Sequence, residues 1–350
     1  MKQRRVYTMK KFLALILALA MALSLVACGS NNNGNDNSND NSNDNSGTTT
    51  KQLRFVTGGE SGTYYGFGSV IATHATNNAG VSVVALSSDG SKANVFSLEE
   101  NEAELGFCQS DVMAYAYNGT NIFADSGKVD CFSVLGALYT EQVQIVTTNP
   151  DIKSVADLEG KSVSVGAPAS GVYFNAVDIL SAYGIGDLDA DGKFTKINAT
   201  YQSFGDSADA LKNGQIDAAF IVAGAPTTAV ADLATTKSVN LVSLDDEHIE
   251  KLLASSPYYT KCVIPAETYN MAADVTTVGV GAVVLVRDDV SEDAVYALCA
   301  DIFDNASSLV DTHAKYGEVT LEYGASMTAV PYHAGAAKYF AEKGFTVPAK

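Results

Sequence analysis

Four short strands in this chain are each followed by a turn of small and hydroxyl-bearing residues and then by a helix. This repeated order limits the folds open to the chain, because strands that alternate with helices are typical of a parallel α/β sheet. The strands are predicted at residues 53–57, 104–108, 162–165 and 216–222. The helices that follow are predicted to end near residues 77, 117, 183 and 235. The chain is therefore predicted to adopt an α/β fold.

The turns between these strands and helices predict where a ligand binds. In an open α/β sheet, ligands bind at the carboxyl ends of the strands. A helix that begins there directs free N–H groups and a partial positive charge at the ligand. Glycine lets the backbone approach closely, and Ser, Thr and Tyr supply hydroxyl groups. One such turn is ordinary loop chemistry, but four of them in two halves of the chain favour a shared cleft.

The beginning of the chain predicts export. Basic residues precede an apolar run over residues 12–26, which ends in small residues before Cys28. This is the pattern of a lipoprotein signal peptide, and the run is short for a membrane span of roughly 20 residues. An uncleaved membrane anchor is the alternative. Residues 1–27 are predicted to be the signal peptide, and residues 28–50 the lipidated Cys28 and a disordered, polar tether. We expect an extracytoplasmic protein, lipid-anchored to the cell membrane.

Residues 51–350 are too many for one comfortable hydrophobic core and predict two lobes. The strands at residues 145–148 and 278–287 are interpreted as the crossings between these lobes. Lobe one is then predicted over residues 51–147 plus 277–350, and lobe two over residues 148–276.

Charge and cysteine content narrow the possible partners. The net charge is −18, and the predicted signal peptide contains basic residues but no acidic ones, so the mature protein is more negative still. Such a charge argues against nucleic acid as a partner. Four cysteines follow the lipidation site: Cys108, Cys131, Cys262 and Cys299. Their spacing matches no zinc site, and export permits disulfides. Four cysteines allow three sets of disulfide pairings, and each thiol could instead be unpaired and buried. The sequence alone does not distinguish these alternatives.

Short motifs follow one another in a fixed order along the chain. They are TGGESGTYY at 57–65, FCQSDV at 107–112, VQIV at 143–146, SVADLEGK at 154–161, VGAPASG at 165–171, GAPT at 224–227, YYT at 258–260 and PYHAGA at 331–336. Together, over residues 53–345, they resemble the TAXI family, the solute-binding subunits of TRAP transporters. Glu60, Cys108 and Ala334 depart from the residues more usual in that family.

The resemblance implies a two-lobed periplasmic-binding-protein fold of type II, with the ligand cleft between the lobes. It implies capture of a small carboxylate or amino acid, either glutamate-like or a dicarboxylate. The solute would be delivered to TRAP membrane permease subunits driven by a sodium or proton gradient. The expected partners are thus the solute, the permease and the membrane through the lipid anchor. The protein is expected to be a monomer without a cofactor and without enzymatic activity.

The same motifs imply which residues hold the ligand. Backbone N–H and hydroxyl groups would bind a carboxylate, while Tyr64 and Tyr173 would cover the carbon skeleton or simply pack. The candidate ligand-binding residues are Ser61, Gly62, Thr63, Tyr64, Gln109, Ser110, Gln144, Ser170, Gly171, Tyr173, Gly224 and Ala225. Arg54 and Arg287 are the only arginines after the signal, and Arg287 is a possible guanidinium clamp.

One further pattern resembles the first half of a calcium loop. Asp187, Asp189 and Asp191 alternate before Gly192, as the oxygen ligands of such loops do. The twelfth position of the loop is Asn198 rather than a bidentate glutamate. An acidic, solvated turn is therefore the alternative interpretation.

Other functions remain to be weighed against solute transport. The four histidines are scattered, and neither an HExxH nor a GxSxG motif is present, which argues against hydrolytic enzymes. A substrate-binding lipoprotein of an ATP-driven importer is the main alternative, because it shares the fold. A sensor ectodomain that passes its ligand to a separate signalling partner is another.

Overall fold

The computed structural model describes residues 52–350. The predicted signal peptide, the predicted lipidation of Cys28 and the predicted tether lie outside the described residues. Within the described part, none of the helices has both the length and the apolar character that a bilayer crossing requires.

The described residues form one mixed sheet of ten strands, rich in Val, Ile, Ala and Phe, with helices packed against it. The strands are β1 Leu53–Val56, β2 Val83–Leu86, β3 Leu105–Gln109, β4 Phe132–Thr147, β5 Ser162–Ser164, β6 Asn198–Thr200, β7 Ala218–Ala223, β8 Asn240–Leu241, β9 Thr260–Ile264 and β10 Val275–Arg287. The α-helices are α1 Thr63–His74, α2 Ser91–Glu99, α3 Ser110–Asn118, α4 Gly171–Ala182, α5 Phe204–Lys212, α6 Thr228–Ala234, α7 Asp246–Ser255, α8 Glu292–Asp304, α9 Leu321–Gly324 and α10 Ala334–Glu342. A π-helical turn and short 3₁₀ turns complete the secondary structure: Ala75–Ala79, Asn121–Phe123, Val155–Leu158, Ala266–Thr268, Ala306–Ser308 and Ala314–Glu318.

The strand order is symmetric about the middle of the sheet. It reads β2-β1-β3-β10-β4-β7-β5-β6, and the two remaining strands, β8 and β9, pair with β4 and β10. The outer three strands on each side form a triplet, β1 to β3 and β5 to β7. In each triplet, the strand that is second in the sequence lies at the edge, the first lies next to it and the third lies innermost. Within each triplet the strands are parallel, whereas β10 and β4 run antiparallel to each other and to the triplet each one borders. This mixed α/β arrangement is that of the type II periplasmic binding proteins and confirms the predicted fold class.

The register places the carboxyl ends of both triplets at the middle of β4. Gln109, the last residue of β3, pairs with Ala282 of β10, which in turn pairs with Tyr139 of β4. Ala223, the last residue of β7, pairs with Gln142 of β4. The two triplets therefore end within three residues of each other along β4, and ligands of α/β sheets bind at such ends.

The bounds of β1, β3, β5 and β7 agree with the sequence prediction to within two residues, and β10 begins three residues before its predicted start. The strands β2, β6, β8 and β9 were not predicted, and β4 differs most from its prediction. Its predicted part was residues 145–148, whereas the strand begins at Phe132. The whole strand is buried or nearly so, because it lies in the middle of the sheet with packed elements on both faces. The first helix is also extended, since the π-helical turn Ala75–Ala79 continues α1.

Three clusters of buried apolar side chains stabilise the fold. The first contains β1 to β3, the part of β4 up to Tyr139, and β10 from Ala282 onwards. The second and third contain β5, β7 and the remaining parts of β4 and β10, including Val143 and Val280. By its contacts, the described part of the chain is one compact unit. The lobe boundaries at 51–147 plus 277–350 and 148–276 stay a prediction.

Helices α8 and α10 approach so closely that one position requires glycine. A Cβ on Gly335 would lie 2.2 Å from the carbonyl oxygen of Glu292 and 2.9 Å from the backbone nitrogen of Tyr296. Gly335→Ala is therefore expected to lower the free energy of unfolding by about 2 kcal/mol through overpacking, and the melting temperature by roughly 4 °C. Thermal unfolding followed by circular dichroism measures this. Gly317→Ala is the matched control, because its nearest neighbouring atom is 4.0 Å away. Equal melting temperatures for both variants would contradict the packing described.

Candidate functional site

A cavity of about 120 Å³ lies where the carboxyl ends of the two strand triplets meet. Half of the predicted ligand-binding residues line it: Gly62, Thr63, Tyr64, Gln109, Ser170 and Gly171. They come from the turn before α1, the end of β3 and the turn before α4. Three of the four predicted turns thus contribute candidate residues to one cavity.

The other predicted residues lie outside the lining because their groups bond or pack elsewhere. The backbone carbonyl of Ser61 accepts a hydrogen bond from Ala229 N–H at 3.1 Å. The hydroxyl of Ser110 accepts one from Gly281 N–H at 2.9 Å. The ring of Tyr173 packs against neighbouring aromatic rings, among them Tyr201 at 5.9 Å between centroids, which matches the packing alternative.

Gln144, Gly224 and Ala225 support the cavity from behind. The amide of Gln144 donates to Thr227 Oγ1 at 2.9 Å and to the carbonyl of Ala223 at 3.1 Å. The carbonyl of Gly224 accepts the hydroxyl of Thr63 at 2.7 Å. Ala225 N–H donates to Gln142 at 3.3 Å. These hydrogen bonds hold the end of β7 in place behind the cavity lining. The three residues themselves do not line the cavity.

Three helices begin at the cavity without a capping side chain. The N-cap residues of α1, α2 and α4 are Gly62, Gly90 and Ser170, and none of their side chains caps the helix. The Ser170 hydroxyl instead donates to the carbonyl of Ala167 at 2.7 Å. By contrast, Ser203 caps α5. The first N–H groups of a helix lack partners within the helix, so all three helix starts have donors for an anion, although Ala93 N–H of α2 already donates to the carbonyl of Ala169 at 3.2 Å.

Glu141 is a lining residue that the sequence analysis missed. It lies in β4 between Tyr139 and Gln142, and it is only 2 % exposed. Burial raises its pKa to about 8, although the adjacent Tyr139 hydroxyl, the charge of Lys315 and the backbone of Gly224 oppose this shift. Its Oε1 has no hydrogen-bond partner among the described residues. The signal available in the sequence was a lone acidic residue within an apolar strand. Acidic residues are seldom buried without a partner, so such a residue indicates a candidate functional site.

Two other lining residues also present polar atoms without a partner in the described part of the chain. They are the hydroxyl of Tyr64 and Oε1 of Gln109. The Tyr64 ring stacks on Phe107 at 4.6 Å, and burial raises the pKa of its hydroxyl well above the usual value. Buried polar groups are normally hydrogen-bonded. The lining therefore offers both donors and acceptors that a small polar molecule can satisfy.

A buried network of hydrogen bonds joins the two sides of the cavity beside this lining. Asn175 of α4 accepts from Gln109 Nε2 at 2.9 Å and donates to Asp111 Oδ2 at 2.9 Å and to the hydroxyl of Tyr259 at 2.8 Å. Burial raises the pKa of Asp111 to about 6, while the bonds from Val112 N–H and Asn175 oppose that shift. The network connects the first core to the second.

Neither arginine lies at the cavity, which corrects the possible clamp at Arg287. Arg287 pairs with Asp289 at the far end of β10, and Arg54 pairs with Glu104. Among the described residues, none that lines the cavity is Lys, Arg or His. An anion would therefore be held by helix N-termini and hydroxyl groups rather than by a guanidinium.

The aspartates of the calcium-like turn are not brought together as one ligand group. Asp189 Oδ1 accepts from the backbone N–H groups of Asp191 and Lys193, both at 2.9 Å. Asp187 pairs with Lys196 at 2.9 Å. Within residues 52–350, no group of three or more His, Cys, Asp or Glu side chains is arranged to hold a metal ion.

The four cysteines of the described part are all unpaired. Cys108 and Cys299 are buried, and Cys131 and Cys262 are partly exposed. Burial raises the pKa of all four thiols. Of the interpretations left open by the sequence, the structure shows the unpaired one.

Comparison with known proteins gives a family and several distant structural likenesses. The periplasmic aliphatic sulphonate binding protein SsuA from Escherichia coli is 15 % identical, with a TM-score of 0.41, over 83 % of this chain and 82 % of that chain. A putative L-cystine ABC transporter from Listeria monocytogenes is 14 % identical, with a TM-score of 0.44, over 78 % and 98 %. Likenesses at this level carry no argument about the ligand. The model of the NMT1-like family matches residues 55–344. Because that match spans most of the sequence, the chain belongs to the NMT1-like family.

Proposed function

We propose that this protein is a solute-binding protein that captures a small carboxylate or amino acid in the cavity between its two strand triplets. The observation that carries the proposal is the convergence of three uncapped helix starts, at Gly62, Gly90 and Ser170, on one cavity. Their free N–H groups suit a carboxylate, and the lining has no cationic side chain that would favour several negative charges. Glutamate-like amino acids and dicarboxylates are the candidate solutes.

Hydrogen bonds across the cavity support a binding cycle in which two lobes close on the solute. Contacts between the first core and the others include Thr63 to Gly224 and the bond from Ala93 N–H to the carbonyl of Ala169 at 3.2 Å. We infer that these contacts form when the lobes close and break when they open. Bending of β4 and β10, which cross between the cores, would serve as the hinge.

The proposed transport system is a TRAP transporter of the TAXI type, as the sequence motifs imply. The protein would be lipid-anchored through Cys28 on the outer face of the membrane and would deliver its solute to the permease. A substrate-binding lipoprotein of an ATP-driven importer is the second candidate. The neighbouring gene discriminates between them, because the first requires a multi-span TRAP permease and the second an ATPase.

A thermal-shift screen tests the proposed function. The purified protein is unfolded and refolded to remove ligand acquired during expression, and then mixed with amino acids, monocarboxylates and dicarboxylates. A ligand that binds only the folded state raises the melting temperature, by an amount equivalent to about 2.7 kcal/mol at a concentration 100 times the dissociation constant. We expect a shift with at least one of these compounds, and recovery of that compound unchanged. Shifts confined to sugars, peptides or metal ions would contradict the proposal.

A further inference from the structure

Glu141 lies at the position along β4 where the two strand triplets meet. Tyr139 is level with the end of β3 and Gln142 is level with the end of β7, so Glu141 belongs to the short stretch of β4 between them. Its side chain lines the cavity and is almost completely buried. A ligand that contacts the ends of both triplets therefore comes within reach of this carboxyl group.

The carboxyl group has a capacity for hydrogen bonding that the protein does not use. Glu141 Oε1 has no partner among residues 52–350. Lys315 is nearby and only 4 % exposed, but its ammonium group donates to Glu318 and lies 5.5 Å from the centre of the Tyr139 ring. Lys315 therefore does not supply the missing bond, and the adjacent Tyr139 hydroxyl is likewise without a hydrogen-bond partner in the described part of the chain. Leaving a buried carboxyl oxygen without a donor is costly, so a donor from the ligand would stabilise the bound state.

We propose that Glu141 accepts a hydrogen bond from the ammonium group of the ligand, so that the cavity selects amino acids over carboxylates that lack an amine. This inference rests on the proposed function and names the substrate class of the same site. The carboxylate of the amino acid would bind the uncapped starts of α1, α2 and α4. Asp89 at the exposed rim is the other charged lining residue, and no lining cation repels an ammonium group.

Ligand binding should be coupled to release of a proton. The ionisable and charged groups around Glu141 are Tyr139 on its own strand, Tyr64 on α1, Lys315 and Glu318 on the 3₁₀ turn, and Tyr323 on α9. In the free protein at pH 7 the Glu141 carboxyl group keeps its proton, because burial raises its pKa to about 8. A bound ammonium group favours the ionised form and lowers this pKa. Affinity for an amino acid should therefore rise with pH up to about 8, whereas affinity for a dicarboxylate should fall as Glu141 ionises.

The test compares ligands that share a carbon skeleton and differ in the amine. Isothermal titration calorimetry is performed with L-glutamate against glutarate and with L-leucine against 4-methylpentanoate. The proteins are the wild type, Glu141→Gln and the control Glu292→Gln, an acid-to-amide change on α8 away from the cavity. For whichever pair binds, we expect the wild type and Glu292→Gln to bind the amino acid at least tenfold more tightly than the carboxylate without an amine. The ratio of these two affinities is the quantity to compare among the proteins. That ratio should fall at least tenfold in Glu141→Gln. Titrations in two buffers of different ionisation enthalpy should show proton release that Glu141→Gln abolishes.

The possible outcomes separate this inference from the proposed function. If glutarate or 4-methylpentanoate binds as tightly as its amino acid, or if Glu141→Gln keeps the ratio, the inference is wrong and the proposed function stands. If no carboxylate or amino acid binds, the proposed function is wrong and the inference with it. A melting temperature of Glu141→Gln equal to or above that of the wild type shows that a changed ratio does not come from misfolding.

Discussion

Gly171→Ala is expected to weaken solute binding about 100-fold while leaving the protein folded. A Cβ on Gly171 would lie 1.4 Å from Gln109 Oε1 and 2.5 Å from its Cδ. Gln109 is buried and bonded to Asn175, so it cannot turn away without losing that bond. The overpacking costs about 3 kcal/mol, and roughly 1.4 kcal/mol corresponds to a tenfold change in affinity. In the proposed binding cycle this cost falls on the closed state, in which α4 and the end of β3 are in contact.

Gly66→Ala is the matched control for this experiment. It adds the same methyl group to α1, where the nearest neighbouring atom, Nε2 of His313, is 3.6 Å away. Calorimetric titration of both variants with the solute found in the thermal-shift screen should show near wild-type affinity for Gly66→Ala. An affinity of Gly171→Ala within threefold of wild type would show that the contact between α4 and Gln109 is not needed for binding.

Asn175→Leu is expected to lower the free energy of unfolding by about 4 kcal/mol at pH 7.5. The change keeps a similar volume but removes three buried hydrogen bonds, and it deprives the Asp111 carboxylate of a donor. Losing a partner of a buried, charged group costs more than losing a neutral bond. The corresponding fall in melting temperature is roughly 10 °C. Urea unfolding at pH 7.5 measures the effect.

Repeating the measurement at pH 5 tests the origin of this loss. Burial raises the pKa of Asp111 to about 6, so the carboxyl group is protonated at pH 5 in the wild type. Without Asn175 its pKa should rise further, because the bond from Asn175 favours the ionised form. The difference between variant and wild type should therefore be smaller at pH 5 than at pH 7.5. Asn78→Leu is the control, since Asn78 is exposed and makes one local bond to His74, and its effect should stay within about 0.5 kcal/mol. A loss for Asn175→Leu as small as that of the control would contradict the role given to the network.

Six of the ten strands of the sheet could be predicted from the sequence, at least in part, because their signals are local. A run of β-branched residues, a glycine-rich turn and an apolar helix lie within about 20 residues of one another. Gly62 and Ser170 belong to such units, and both line the cavity. The start of β4 at Phe132 was missed, because a long strand buried on both faces lacks the alternation that marks shorter ones.

The choice of lining residues could be predicted only in part because it depends on contacts between distant segments. Ser110 and Gln144 have the right chemistry and lie near the right strand ends, yet Gly281 and Thr227 use their polar groups. Glu141 has a chemistry that suggests solvent exposure, yet the pairing of β4 with both β7 and β10 buries it. Which group hydrogen-bonds to a given side chain is decided by the tertiary structure. A short sequence motif does not contain that information.

The symmetric order of the sheet also constrains how the chain can acquire its fold. The first triplet, β1 to β3, borders β10, a strand encoded near the end of the chain. During synthesis the edge of β3 therefore remains unpaired until β10, which ends at Arg287, has been made. The whole second triplet is by then already available to fold. Pairing over such a separation is slow, because the chain entropy is lost before the contacts form. A fragment that ends after β7 would expose the edge of β3, so truncated products should aggregate rather than persist as half-proteins.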